Sequence, residues 1–542
     1  MEDIKYNFLK YQDEFKYLVE QWKAKGDTQK FFDKDPTLWK TEPEHKKIIE
    51  NRLGWLNAPE EFKSRIQEIT GFVKEIKAGG FKDIVLLGMG GSILCSEVLR
   101  KTYPHKKSFP RLYVLDSTDP ETILNIEKSV DLRHTLFVVA SKSGTTIEAL
   151  SYFKYFYKKI SFITRCGFKN FCAITDQGTP LEKDAQRIGF CKIFINPSDI
   201  GGRYSALSFF GLVPAALAGI DIKKMLDDAT NLLEKSKKEP LYTPFGLGIC
   251  IGLFATKGKN KITIITDPKI KHFGLWLEQL IAESTGKEGK GVLPITDEPV
   301  MKTYSDDRLF VYLKCGKSCM RTKDLIKNLV QQKKPVIEIQ TKDIKNIGSD
   351  IMGWEIATAV CASVMNINPF DEPNVQESKE NTKMLLENPK QMKALHKPLL
   401  KLDEAQIKEF LKDLKPPEYV AILFYGEPQQ YAFKNYVQKI RQAISKSYAV
   451  ATIVGIGPRY LHSTGQIFKG GPKDSRFIFI TTKSKTDCKI PSSSYTFKKL
   501  QSAQAIGDIQ AILNRKRKCI WIEISEEDEL KNFLSLIKNR VR

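Results

Sequence analysis

The sequence predicts an α/β protein in which parallel sheets covered by helices recur along the chain. Two observations carry that reading. Short runs rich in valine, isoleucine and leucine alternate with stretches that carry apolar residues at helical spacing. Several of these runs end on polar loops of glycine, serine and threonine that open the next helical pattern, as crossover units do. The length, 542 residues, is too great for one core and sets a prior of roughly three domains.

The elements follow in order. Residues 1–75 read as helical and charged. Across 60–77, Phe62, Ile66, Ile69, Phe72, Val73 and Ile76 fall at a helix-like period. The texture then changes to strands at 83–88, 111–115, 134–140, 171–175 and 192–195, separated by loops and helices. A second unit of this kind starts near 241, with strands at 261–266, 309–313 and 335–340 and helices at 272–283 and 350–365. A lysine-rich helical stretch, 377–415, stops at Pro416-Pro417. Strands at 419–424, 449–454 and 477–481 and a helix at 528–538 complete the chain. The division is 1–75 helical, 76–235 and 236–400 as two α/β domains, and 401–542 as a C-terminal α/β segment.

Composition excludes several classes. A hydrophobic content of 42% and an aromatic content of 10% suit a globular chain. No apolar stretch is long enough for a membrane span, and Met1-Glu2-Asp3-Ile4-Lys5 has no basic-then-apolar signal region, which predicts a cytoplasmic protein without a membrane partner. Ten cysteines read as ordinary reduced residues; Cys315 and Cys319 have no second pair at zinc-ligand spacing. The net charge of +22 is spread along the whole chain, a lysine-rich surface rather than a nucleic-acid interface. A positive field also draws in phosphorylated ligands.

The chemistry sits in five places. Gly90, Gly91 and Ser92 follow one strand. Ser141, Lys142, Ser143, Thr145 and Thr146 follow another. Unpaired N–H groups at a helix start suit a phosphate dianion, and small hydroxyls add donors without bulk. Ile93 stands where a dinucleotide fingerprint needs its third glycine, and no Walker string occurs, so a small phosphorylated ligand remains. In the string from Asn196 to Ser205, Gly201-Gly202 precedes Arg203, a fixed cationic fork suited to anionic oxygen. Gln279 and Glu283 lie four apart on one helix face, with Glu283 at the helix end, where a carboxylate among apolar neighbours can take a proton from carbon. The fourth place is the turn Asn368-Pro369-Phe370-Asp371-Glu372-Pro373, with Lys379 in the first turns of the following helix. The fifth is Arg459 to Gln466, followed by Lys469-Gly470-Gly471-Pro472; of six histidines, only His462 lies among small polar and glycine residues after a strand.

These strings resemble the glucose-6-phosphate isomerase family over roughly 83–472, above all Ile200-Gly201-Gly202-Arg203-Tyr204-Ser205 and Glu283-Ser284-Thr285-Gly286-Lys287. They are most similar to the isomerase half that some bacteria fuse to transaldolase. The resemblance implies two sugar-isomerase (SIS) type doubly wound parallel-sheet domains with a helical N-terminal and an α/β C-terminal extension. It implies an aldose–ketose isomerase of glycolysis and gluconeogenesis, with a sugar phosphate as partner and no cofactor or metal. A homodimer and use of mannose 6-phosphate stay open. By motif, Gly91, Ser92, Ser141, Lys142, Ser143 and Thr146 would hold the phosphate, Glu283 would move the proton between C2 and C1, and Gln279 would bind sugar hydroxyls. Arg203 would stabilise a cis-enediolate. Lys379 would assist ring opening, with His462 as the ring-opening acid.

Two departures stand out. The family's histidine segment usually lies between the glutamate and the Asn-Pro-Phe-Asp turn, where this chain has no histidine. And Glu372 stands where the family usually has glutamine; its carboxylate would repel substrate if ionised, or pair with Lys379, or point away. That glutamate keeps a non-catalytic sugar-phosphate-binding regulator as the alternative.

Overall fold

The structure is a computed structural model that describes residues 1, 3–238, 243–398, 404–427, 431–483 and 486–539. Fourteen strands lie among the described residues. They are β1 (Asp3–Asn7), β2 (Asp83–Gly88), β3 (Arg111–Leu115), β4 (Thr135–Ala140), β5 (Phe171–Asp176), β6 (Lys192–Asn196) and β7 (Lys261–Thr266), followed by β8 (Leu293–Ile295), β9 (Arg308–Cys315), β10 (Val336–Thr341), β11 (Tyr419–Tyr425), β12 (Ala451–Ile456), β13 (Ser475–Thr482) and β14 (Lys518–Ile524).

They form three sheets. The first runs β3-β2-β4-β5-β6, all parallel. The second runs β8-β7-β9-β10, parallel, with β1 antiparallel on its edge. The third runs β12-β11-β13-β14, again parallel. Each grows from its first parallel strand to one side and then reverses, so all three are doubly wound. Ligands in such sheets bind beyond the strand ends where the order reverses, which for the first sheet is between β2 and β4.

Several sequence expectations are corrected. The first 75 residues are not helical throughout, because Asp3–Asn7 is an edge strand whose Ile4 and Tyr6 pack on the core. The two-residue alternation of Ile4 and Tyr6 was hidden beside long helical patterns. The helix expected at 60–77 breaks at Arg65 into Ala58–Ser64 and Ile66–Ala78. The stretch 377–415 is interrupted at Asn388-Pro389, giving helices Pro373–Glu387, Pro389–Leu395 and Glu404–Leu411, because the residue before a proline is driven out of the helical region. The second unit's expected start at 241 and residues 399–403 of that stretch lie outside the described residues. Strands β8 and β14 were not anticipated.

The strand period sets how the layers join. Ile84 and Leu86 of β2 face a core shared with the N-terminal helices and the second sheet, whereas Val85 and Leu87 face the third. In β11, Ala421, Leu423 and Tyr425 point back into that same core, and Val420, Ile422 and Phe424 into the third unit's own. One continuous apolar layer therefore fixes the C-terminal unit against the first sheet. Each large side chain buried there contributes roughly 1.5–3 kcal/mol.

Candidate active site

At the reversal point of the first sheet, β2 ends in the turn Gly90–Ser92. Gly90 has φ +53°, and a β-carbon there would lie 2.8 Å from His462 Cβ. A β-carbon on Gly91 would lie 2.1 Å from the carbonyl oxygen of Gly202, inside contact distance. The glycine pair thus lets three loops close on one another. Beside it, the loop after β4 folds on its own hydroxyls. Ser141 Oγ lies 2.8 Å from Thr146 Oγ1, and Ser143 Oγ 2.8 Å from Thr145 Oγ1. Thr146 is the N-cap of helix Ile147–Ser161 but makes no side-chain cap bond to it. A helix start without a capping side chain is the kind that suits an anionic ligand. Ser143, Thr145, Thr146, His462, Lys379 and Gln504 line a cavity of about 710 Å³. Lys142 is turned elsewhere, its ammonium bonded to the Asp176 carboxylate and, at 2.9 Å, to the Ser198 carbonyl.

Arg203 is buried, 4% exposed. Its Nε donates to Ser284 Oγ (3.0 Å), and Nη2 to the carbonyls of Pro369 (2.6 Å) and Asp371 (2.8 Å). Nη1 donates to Glu372 Oε2 at 3.0 Å and lies 3.7 Å from Glu283 Oε1. Of the five N–H groups of a guanidinium, four are taken and one on Nη1 remains beside Glu283. Glu372 therefore neither pairs with Lys379 nor points away.

Glu283 is 7% exposed near the end of helix Phe273–Thr285. Gln279 Nε2 donates to Glu283 Oε2 (3.0 Å) and to the His462 carbonyl (2.8 Å). Gln279 Oε1 is buried with no partner, an acceptor suited to a ligand hydroxyl. Burial pushes the Glu283 carboxyl above its usual range, opposed by Arg203 and reinforced by Glu372. Such a carboxylate is a stronger base than a solvated one. Lys287 clamps the turn that holds Arg203, donating to the Asn368 carbonyl and to Asp371 Oδ1, each at 2.6 Å. Burial and then Arg203 push its ammonium down to about 8.

The C-terminal unit supplies His462 from the loop after β12. Its Nε2 lies 3.1 Å from Glu148 Oε1, which also accepts from Gln504 Nε2 at 2.6 Å. Burial disfavours the Glu148 carboxylate, but His462 and Lys379 outweigh it and hold it below the usual range. Ionised Glu148 can only accept, so the imidazole proton sits on Nε2. Gln466, four residues on, bonds the Gly286 carbonyl (3.0 Å) and Asn374 through both its amide atoms (2.8 and 3.1 Å). It joins the end of the Glu283 helix to the start of the Lys379 helix.

Glu148, Gln504, Gln466 and Lys287 were not read from the sequence as site residues. Glu148 had a signal, since it lies in the first turn behind the hydroxyl loop; Gln504, in helix Phe497–Asn514, had none. The second sheet also has a reversal point, between β7 and β9, but Asp267 fills it. Its carboxylate accepts from Cys315 N (3.0 Å), Tyr312 OH (2.8 Å) and Ser318 Oγ (3.2 Å), where an external anion would sit. Among the described residues no acid, thiol and imidazole groups cluster as a metal site, and no helix is long and apolar enough to cross a membrane.

A hydroxyl-lined helix start, joined through His462 and Gln279 to a buried carboxylate and a guanidinium, is an arrangement suited to moving a proton on a phosphorylated carbonyl compound, and the class is that of the sugar-phosphate isomerases. A family model described as phosphoglucose isomerase matches residues 55–294. The chain is 30% identical over 294 residues to the glucose-6-phosphate isomerase of Campylobacter jejuni, covering 53% of this chain and 70% of that one. It is 27% identical over 342 residues to that of Methanocaldococcus jannaschii, covering 56% and 83%. Its fold is like that of a hypothetical protein from Thermus thermophilus (TM-score 0.59, 22% identity, 71% of this chain and 99% of that one). It is also like that of a glucose-6-phosphate isomerase from Chlamydia trachomatis (TM-score 0.51, 20% identity, 60% and 73%). The chain belongs to the phosphoglucose isomerase family.

Proposed function

We infer that this chain interconverts glucose 6-phosphate and fructose 6-phosphate through a cis-enediolate, a step of glycolysis and gluconeogenesis. The observation that carries this is the buried pair of Glu283 and Arg203, with one guanidinium N–H and the unpartnered Gln279 Oε1 beside the base. In this reading, 76–235 supplies the phosphate seat, 236–400 the base, and 401–542 the ring-opening histidine.

The phosphate rests on the Ser141, Ser143 and Thr146 loop and the N–H groups behind it, flanked by Gly91 and Ser92. His462, oriented by Glu148, moves a proton at the ring oxygen, and Lys379 assists from the facing helix. Glu283 takes the C2 proton of the open aldose and returns it to C1, while the O2 hydroxyl proton passes to O1, so that O1 becomes the hydroxyl and O2 the carbonyl of the ketose. The remaining Arg203 N–H and Gln279 hold the enediolate oxygens, a preorganised electrostatic role. Substrate and product differ only in proton position, so the step consumes no electrons. Finer expectations are a homodimer, read by light scattering, and turnover of mannose 6-phosphate, read by direct assay.

The test is a coupled assay with fructose 6-phosphate and chelator present. Wild type should turn over. Glu283→Gln should lose at least about a thousandfold in kcat while still binding 6-phosphogluconate. Near-normal turnover in that variant would refute the role of Glu283.

A further inference from the structure

Glu372 is the one anionic acceptor on Arg203 that the reaction scheme leaves unused. It reaches the guanidinium from the solvent side: its side chain is 46% exposed, whereas that of Arg203 is 3% exposed. Its oxygen lies 3.0 Å from Nη1, the nitrogen that also faces Glu283 at 3.7 Å. The other guanidinium partners, Ser284 Oγ and the Pro369 and Asp371 carbonyls, are neutral. Glu283 thus faces a cation whose charge is shared.

We propose that Glu372 is a positioning residue for the proton transfer: it fixes Nη1 of Arg203 and takes up part of that cation's charge, leaving Glu283 free to act as base. The proposal rests on the reading of Glu283 as that base. Neutral acceptors alone could also orient the guanidinium. They would leave its full charge on Glu283, which would then give up basicity to an ion pair. A carboxylate at 372 opposes that, and the Arg203 guanidinium it touches keeps it ionised.

The groups that face the pair are few. Around Glu283 stand Arg203 from the loop after β6, Gln279 on its own helix, His462 from the C-terminal unit, and Glu372. Around Glu372 stand Arg203, Lys287 and Arg52. Lys287 is itself bound to Asp371, which lies 3.8 Å from His45 Nδ1. Burial opposes ionisation of Glu372, but Arg203 and then Lys287 hold its carboxyl below the usual range, so it is charged wherever Glu283 titrates.

The experiment is the pH profile of kcat/KM for fructose 6-phosphate in wild type, Glu372→Gln and Glu372→Asp. That parameter reports the free enzyme. Glutamine keeps the bond from Nη1 and removes the charge. Its acidic limb should move to lower pH by about one unit, since Arg203 then acts on Glu283 undivided. Aspartate keeps the charge, and its limb should stay near that of wild type. An unmoved limb in Glu372→Gln overturns the proposal, even with lower turnover or melting temperature, because those changes alone mark a purely structural residue. An equal shift in Glu372→Asp also overturns it. Failure of the underlying reading is separate: it would show as turnover surviving in Glu283→Gln.

Discussion

Changing Glu148 to glutamine should separate ring opening from proton transfer. The substitution keeps the size and an acceptor for Gln504 but removes the charge 3.1 Å from His462 Nε2. A full charge pair at that distance is worth about 5 kcal/mol at an effective dielectric of 20. The pair is charged only while His462 carries its extra proton, so the loss falls on the state in which it serves as acid. A general acid contributes about a hundredfold to ten-thousandfold. Turnover of fructose 6-phosphate should therefore fall at least about a hundredfold. The assay compares it with 5-deoxyfructose 6-phosphate, which lacks the hydroxyl that closes the furanose ring and enters already open. On that substrate Glu148→Gln and His462→Gln should stay close to wild type, since Glu283 and Arg203 are untouched. Equal losses on both substrates would refute the assignment and place Glu148 in the support of the proton-transfer step instead.

Other expectations follow from the packing and the charges. Gly91→Ala should lower both melting temperature and kcat/KM. Its methyl meets backbone at Gly202 rather than a movable side chain, a clash of the kind that costs about 1–3 kcal/mol. An unchanged melting temperature would show that the two loops are not held in contact. Glu355 is fully buried and neither carboxyl oxygen has a partner, so burial pushes its pKa well up. Its unfolded form ionises near the ordinary value while the folded form stays protonated, so stability is lost as pH rises between the two. Denaturant titrations should show Glu355→Gln gaining on wild type by about 1.4 kcal/mol per pH unit above about 4.5. A pH-independent difference would mean the carboxyl is ionised and paired in the folded protein.

Much of the fold was legible because buried parallel strands are continuous apolar runs. The motif 83–88 followed by glycines could be placed as a strand and a ligand loop from composition and period alone. The glycine pairs, the hydroxyl runs and the carboxylate in an apolar helix stood out for a related reason: each is costly unless used. What failed was local or relational. Strand β1 is five residues with mixed polarity, and its pairing partner lies more than 300 residues away. Lys142 belongs to the hydroxyl loop in sequence, but Asp176 at the end of the neighbouring β5 takes its ammonium. Gln504 lies on a helix with no motif and gains its place only because the C-terminal unit packs on the first sheet.

The sequence by itself determined the chemistry available: which residue types stand at which strand ends, and hence hydroxyl and glycine loops, a carboxylate and a guanidinium. Tertiary structure decided which of them act together. It placed His462 from a third doubly wound sheet against Glu148 of the first, filled the second sheet's reversal point with Asp267, and put Glu372 on Arg203. The reason is physical. A side chain's type and local period are written in its neighbours along the chain, but its charge, its basicity and its partners are set by groups within a few ångströms in space. Here those groups come from loops separated by up to several hundred residues, brought together by the apolar layers between the sheets.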